Sequence, residues 1–335
     1  MASIEKLKPK AEGAKKFEMK EFLIENSLYI FILAAVAYIQ FKEPSFLSLS
    51  SVINILSMSA AAMPIALGIA GCIILTGTDL SAGRCVGLTA CVSASLLQTT
   101  GYVNKMFPDL KVPPIILIIG LSMAIGAVVG CVNGFCVSKF SLHPFIVTLS
   151  TQLMLYGVIL MYLKIGTNNG QSISGLDASY TKFIKGSLFS IGDTAVPNYL
   201  LYAIVIIGLM WFIWNKTTFG KNMFAVGSNP EAANVSGVNV AKTIIMVFTL
   251  AGVMYGITGF IEGARIGSNS AVTGLNYELD AIAACVIGGV SFVGGIGKIR
   301  GVIVGVVLLK LIFAGLSFLS VDPNMQYIVK GLIIL

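Results

Sequence analysis

Ten apolar runs constrain this 335-residue chain more than any motif in it. They lie at about residues 28 to 41, 50 to 75, 84 to 99, 113 to 138, 144 to 163, 197 to 214, 243 to 261, 280 to 296, 301 to 319 and 325 to the end. Crossing a hydrocarbon core of about 30 Å takes roughly 20 residues of helix. No water is available there for a stray backbone N–H or C=O, so only a segment that closes its own hydrogen bonds can cross. The runs predict an all-α polytopic membrane protein of about ten transmembrane helices, some broken or re-entrant. A content of 56% hydrophobic and 11% charged residues agrees, since a soluble core needs far less apolar sequence. Residues 1–27 read as a basic tail, and residues 28–335 as one transmembrane domain containing a long polar loop at 215–242.

The net charge of +7 does not point to nucleic acid. Lys6, Lys8, Lys10, Lys15, Lys16 and Lys20 sit together in the tail, which reads as a cytoplasmic anchor. Lys42 and Glu43 follow the first run where a cleaved signal peptide would carry small residues. With the tail inside, ten crossings put residues 76–83, 139–143, 215–242 and 297–300 on the cytoplasmic side. Inside then fall the six tail lysines with Arg84, Lys139, Lys216, Lys221, Lys242, Lys298 and Arg300. Outside fall Lys42, Lys105, Lys111, Lys164, Lys182, Lys185 and Arg265. Thirteen against seven supports this orientation, and the tail carries the whole difference.

Two runs depart from a plain crossing. AACVIGGVSFVGGIG (283–297) is short and broken by glycines, which suits either a full span or a re-entrant or discontinuous helix. The last run stops at GLIIL after about eleven residues, as if the natural C-terminal end were missing. The cysteines Cys72, Cys85, Cys91, Cys131, Cys136 and Cys285 have no CxxC spacing and no histidine cluster beside them, so they read as small packing residues. His143, the only histidine, precedes Pro144 at a segment boundary and reads as structural.

SNPEAANVSGVNV (228–240) is polar and stands between two apolar runs. Ser228 and Glu231 have the spacing of a capping box, and Asn229 followed by Pro230 is an alternative cap and first helical residue. Glu231 complements the helix dipole, Ala232 and Ala233 give a low face, and Gly237 can end the helix in a left-handed conformation. About two turns of helix are predicted. A plain connection is rarely this long, and FGKNMFAVG (219–227) is expected to add exposed aromatic and basic groups. The alternatives are a loop closure and a docking helix for a partner.

NKTTFGKNMFAVGSNPEAANVSGVNV resembles the cytoplasmic coupling loop of permease subunits of ABC sugar importers, with Glu231, Ala232, Ala233 and Gly237 in the EAA and glycine pattern. ILTGTDLSAGRCVGL (74–88), NGFCVSKFSLHPFIVTLS (133–150) and YELDAIAACVIGGVSFVGGIG (277–297) resemble the ribose and galactose branch of that family, over nearly the whole chain. The resemblance implies a homodimeric pore of ten-helix subunits in a bacterial inner membrane, with the N-terminus cytoplasmic. It implies a cytoplasmic ATPase with two fused ATP-binding domains, a periplasmic sugar-binding protein, and galactose, a methyl-galactoside or glucose as cargo. ATP and Mg would belong to the ATPase. FVGGIGKIR (292–300) lacks the first glycine and the final hydroxyl of a P-loop, and no cofactor, metal or catalytic group is expected in this chain. No nucleophile stands beside a base, so an enzyme reading has no residues to assign.

The rival within transport is an ion-coupled carrier, which would use ionisable groups deep in its helices. Asp79, Glu262, Arg265 and Asp280 lie near segment ends, Lys310 near the centre of its run and Lys330 in the last run. A lysine such as Lys310 is expected to snorkel or to face a protein cavity. A neutral sugar needs hydroxyl partners, for which Asn54, Thr76, Ser81, Thr148, Gln152, Tyr156 and Asn276 are candidates. The same residue types also bond one helix to another.

Overall fold

In the computed structural model residues 27–322 and 324–334 are described, and the tail lysines lie outside them. Each of the ten apolar runs contains a helix. They are α1 (Ser27–Lys42), α2 (Leu49–Ile74), α3 (Ala82–Leu96), α4 (Ile115–Lys139), α5 (Pro144–Tyr162), α7 (Asn198–Lys216), α10 (Val240–Ile266), α11 (Tyr277–Ile287), α12 (Ile299–Phe318) and α13 (Met325–Ile334). Between them lie α6 (Ala178–Lys185), an antiparallel hairpin of β1 (Ser187–Ile191) and β2 (Thr194–Pro197), α8 (Thr218–Ser228) and α9 (Pro230–Val235). Among the described residues six helices, α2, α4, α5, α7, α10 and α12, are long and apolar enough to cross a membrane. The other apolar helices are shorter, with 15 residues in α3 and 11 in α11. The chain is a polytopic helical membrane protein.

The centre is built where α2, α4 and α10 meet. A Cβ on Gly126 would strike the carbonyl of Gly252 and one on Gly252 that of Gly126, while Gly130 abuts Phe248 and Gly256 abuts Ser122. The two backbones are in direct contact, running antiparallel, which is how helices gain packing where lipid offers no hydrophobic drive. On the other side of α10, Gly68 leaves room for the Tyr255 ring and Gly71 faces Val247, so α2 is antiparallel to α10 as well. Pro64 is accommodated within a continuous α2.

The short helices share one plan in opposite senses. After α2 the irregular stretch 75–81 turns back into the molecule and α3 begins. After α10 the stretch 267–276 turns back and α11 begins. These returns meet, because Gly83 lies against Glu278 and the Gly274 carbonyl, and Gly87 against the Thr273 carbonyl. Both N-termini thus start inside the bundle.

One expectation is corrected here, and one choice that the sequence left open is decided. Residues 76–83 do not form a surface loop, since Asp79 and Ser81 are completely buried and hydrogen-bonded. Arg84 belongs to the interior with them, so it drops out of the inside charges. Helix α11 ends at Ile287, and 289–298 is non-helical, so 280–296 is a discontinuous segment and not a full span. Gly289, Gly294 and Gly295 take positive φ there, which explains the break.

Candidate functional site

At one end of the bundle, the end of the 215–242 loop, Thr217 accepts from the Gly220 N–H and starts α8. Then Asn229 caps α9, its Oδ1 accepting from the Ala232 N–H at 2.9 Å, with Pro230 as first helical residue. Of the two caps allowed by the sequence, Asn229 is the one used. Ser228 closes α8 and donates to the Phe224 carbonyl at 2.9 Å. At the other end of α9, Gly237 has φ +85, its N–H donates to Asn234 and the Val238 N–H to Ala233, a Schellman stop. Ala233 faces inward, leaving Glu231, Ala232, Asn234 and Val235 exposed, with Val235 at 90%. The aromatic part of the expectation fails. Phe219 and Phe224 are half-buried, Phe224 edge-on to Trp214 at 6.0 Å, and Lys221 is exposed.

The base of α9 is joined to the bundle through backbone. Gly295 N–H donates to the Ile74 carbonyl at 2.9 Å, and any Cβ on Gly294 or Gly295 would strike Gly227, Thr76 or Ser228. The end of α2, the α8–α9 junction and the α11–α12 turn therefore touch at one glycine-lined point. Thr76, φ +59, is part of that joint and donates to the Leu75 carbonyl at 2.6 Å, which takes it out of the polar interior. Asn54 is exposed on the second turn of α2, also away from it.

The remaining candidates fall into three groups. In the first, Asp79 accepts from Ser81 N–H (2.9 Å) and Oγ (2.6 Å). Asn133 donates to Ser81 Oγ (2.9 Å) and accepts from Thr151 (2.7 Å), and Thr148 donates to the Thr78 carbonyl and accepts from the Leu80 N–H, both at 3.1 Å. The second Asp79 oxygen and the Tyr255 hydroxyl are buried without a hydrogen bond among the described residues. In this group the helices α4 and α5 hold the entry to α3.

In the second, Gln152 Nε2 donates to Glu278 Oε1 at 3.3 Å, leaving Oε2 buried and unpartnered. Arg84 donates to the Ala271 carbonyl at 2.8 Å and stacks 4.4 Å over the Tyr156 ring. Tyr156 is twelve residues beyond Pro144, about 18 Å along a 19-residue helix at roughly 1.5 Å per residue. Asn276, φ +63, stands at the head of α11 with no side-chain cap bond.

The third surrounds a cavity of about 90 Å³ between α2, α10, α11 and α12. Glu262 and Arg265 form a two-pronged pair at 2.8 Å, and Tyr277 donates to Glu262 at 3.1 Å. Asp280 is held by Lys310 at 3.2 Å and Lys330 at 2.6 Å. Lys310 thus lines a protein cavity, one of its two expected fates. An acid inserted singly would be costly in hydrocarbon, and here each finds a cation.

Sequence reasoning missed Arg84, Asn133, Thr151, Tyr255, Tyr277 and Glu278. Asn133 and Glu278 carried a signal, a polar side chain inside or at the head of an apolar run, and Arg84 was misassigned by counting it with loop charges. His143 caps α5, accepting from the Phe145 N–H at 3.3 Å, as a structural residue would. All six cysteines are free, and Cys131 is exposed on α4.

The model of the family described as branched-chain amino acid transport system / permease component matches residues 51–335. The galactose/methyl galactoside import permease protein of Escherichia coli K12 is 46% identical over 94% of this chain and 93% of its own. The corresponding protein of Haemophilus influenzae is 44% identical over 97% of this chain and 95% of its own. The ribose import permease protein of E. coli K12 is 32% identical over 96% and 95%. No solved structure matches. A polytopic bundle with a capped helix standing clear of it, matched along almost its full length by import permeases, belongs to this permease family.

Proposed function

We propose that this chain is the membrane subunit of an ATP-driven importer of a galactose-type monosaccharide. In this reading two copies, each with ten membrane segments, form the pore in a bacterial inner membrane, with the tail and α9 cytoplasmic. A cytoplasmic ATPase with two fused ATP-binding domains, holding ATP and Mg, docks on α9. A periplasmic binding protein delivers sugar to the opposite end.

The observation that carries the proposal is the exposure of α9 together with its glycine joint to α2 and the α11–α12 turn. A helix of six residues is too short to hold itself together in water. Its caps at both ends fix it, and its exposed face is free for a partner. Displacement of α9 is passed through Gly227 and Ser228 at its base to Gly295 and Ile74, where the backbones lie close enough to leave little slack. The cargo follows from the relatives named for galactose and methyl galactoside, and hydroxyl and amide groups in the interior suit a neutral polyol.

The test is ATP-dependent uptake of labelled galactose into proteoliposomes supplied with ATPase and binding protein. Uptake is expected to need all three proteins and ATP, and to fail in Glu231→Ala while ATPase still turns over. Uptake that ignores ATP and follows an ion gradient would overturn the proposal in favour of an ion-coupled carrier.

A further inference from the structure

We propose that the face carrying Arg84, Tyr156 and Val272 is the wall of the water-filled sugar route, and that Arg84 is its hydroxyl-binding group. The inference deepens the importer reading and rests on it for the identity of the cargo. The hydration of the face stands on the structure of this subunit alone.

Two independent observations exclude lipid from this face. The first is charge. Arg84 is half-buried, its guanidinium lying over Tyr156 well inside the length of α5. No carboxylate lies within ion-pair distance of it among the described residues. Its fixed partners are one carbonyl and one ring, which leave most of its N–H groups to be satisfied by something outside the subunit. Hydrocarbon cannot do this.

The second is backbone. Residues 267–276 return along α3 without forming a helix, with Ser270 beside Cys91, Thr273 beside Gly87 and Gly274 beside Gly83. Irregular backbone at membrane depth is tolerated only inside protein or along water. Yet Val272 is 66% exposed and Leu275 41%, and Tyr156 beside them 37%. Arg84 joins the two observations, since its N–H is bonded to Ala271 in this same stretch. Water and a polar solute satisfy both the guanidinium and the open backbone. The Ala271 carbonyl and the Tyr156 ring pin the guanidinium from one edge and one face, so the remaining donors point in a fixed fan. That suits the adjacent hydroxyls of a neutral sugar.

Cysteine accessibility in the full chain tests this. In a background with Cys131→Ser and Cys136→Ser, the other native cysteines are buried and the parent should be silent. Val272→Cys and Tyr156→Cys are each exposed to a charged, membrane-impermeant methanethiosulfonate in proteoliposomes. Met154→Cys, on the opposite side of α5 and likewise exposed, is the comparison. The two wall positions are expected to react, and Met154→Cys at least about 100-fold more slowly, because the reactive thiolate does not form in lipid. Unreactive wall positions, disulfide-linked dimers through them, or equal reaction at Met154→Cys overturn the proposal. Arg84→Gln should cut galactose uptake about tenfold or more, the worth of a charge-assisted hydrogen bond, with Arg84→Lys recovering part. Val272→Cys should still react in the Arg84→Gln chain. Parent-like uptake by Arg84→Gln removes Arg84 from the route. If the parent lacks ATP-dependent uptake while the wall still reacts, the importer reading fails and the hydrated face stands.

Discussion

The loop end and the interior of the bundle hold polar groups in opposite ways. Around α9 each stabilising bond is local, with Asn229 to Ala232 and Gly237 to Asn234 both three residues apart. Inside the bundle Ser81 reaches Asn133, Gln152 reaches Glu278 and Arg84 reaches Ala271, spans of 52, 126 and 187 residues. The difference follows from solvent. In water an unsatisfied donor costs little and a short helix needs only its caps, whereas in hydrocarbon an unmet polar side chain is costly, so a partner is drawn from wherever in the chain one can be packed. A movable element can therefore be built cheaply at the loop end. In the interior any change of one group strands its partner.

The sharpest way to test that contrast is Asp280→Ala. The aspartate separates Lys310 and Lys330, all three being less than one-fifth exposed. Removing it leaves two cations facing one another in the membrane interior. Loss of one partner of a buried ion pair costs about 3–5 kcal/mol. The purified variant is expected to show a sharply lowered thermal midpoint in detergent. Adding Lys310→Met and Lys330→Met should restore most of it. A single variant as stable as the parent would show that these charges are met by water and that the interior is wetter than its packing implies.

Asn133→Leu probes the same contrast at smaller scale. It removes a donor from Ser81 and an acceptor from Thr151, both buried, and each stranded group costs about 1–3 kcal/mol. Thermal unfolding should fall by less than for Asp280→Ala, which breaks two ion pairs at once, and by more than for any single change on α9. Equal loss at both ends would break the comparison.

These interior groups also mark the limit of what the amino-acid order discloses. Each apolar run holds a helix, and among the described residues six of these are long enough to cross a membrane, because hydrocarbon length is a property of consecutive residues. Caps located α9 for the same reason. Nothing local tells that Ser81 meets Asn133 and not bulk water, so 76–83 reads as a loop until α4 and α5 are packed around it. Arg84 was miscounted through that one error. Likewise α11 had its break announced by GGVSFVGGIG, but its meeting with Gly83 depends on a return through 267–276 that has no periodic pattern. The clusters of the candidate site became visible only where distant elements converge.

The smallest effect separates two readings of one tetrapeptide. Ser228 and Glu231 satisfy a capping-box pattern, yet the structure gives the cap to Asn229 and turns Ser228 back onto Phe224. Asn229→Ala should destabilise α9 by about 1 kcal/mol, the usual worth of an N-cap. Ser228→Ala should stay within about 0.5 kcal/mol, as expected of an exposed side chain without such a role. Global melting would miss both, because opening of α9 is local, so the measurement is hydrogen exchange at the amides of Ala232, Ala233 and Val238. Faster exchange in Asn229→Ala alone keeps the cap where the structure has it. Faster exchange in Ser228→Ala as well would mean that the glycine joint beneath Ser228, against Gly295, holds α9 as firmly as its own cap does. The loop end would then share the long-range character of the interior, and force on α9 would be felt by α2 before the helix itself could yield.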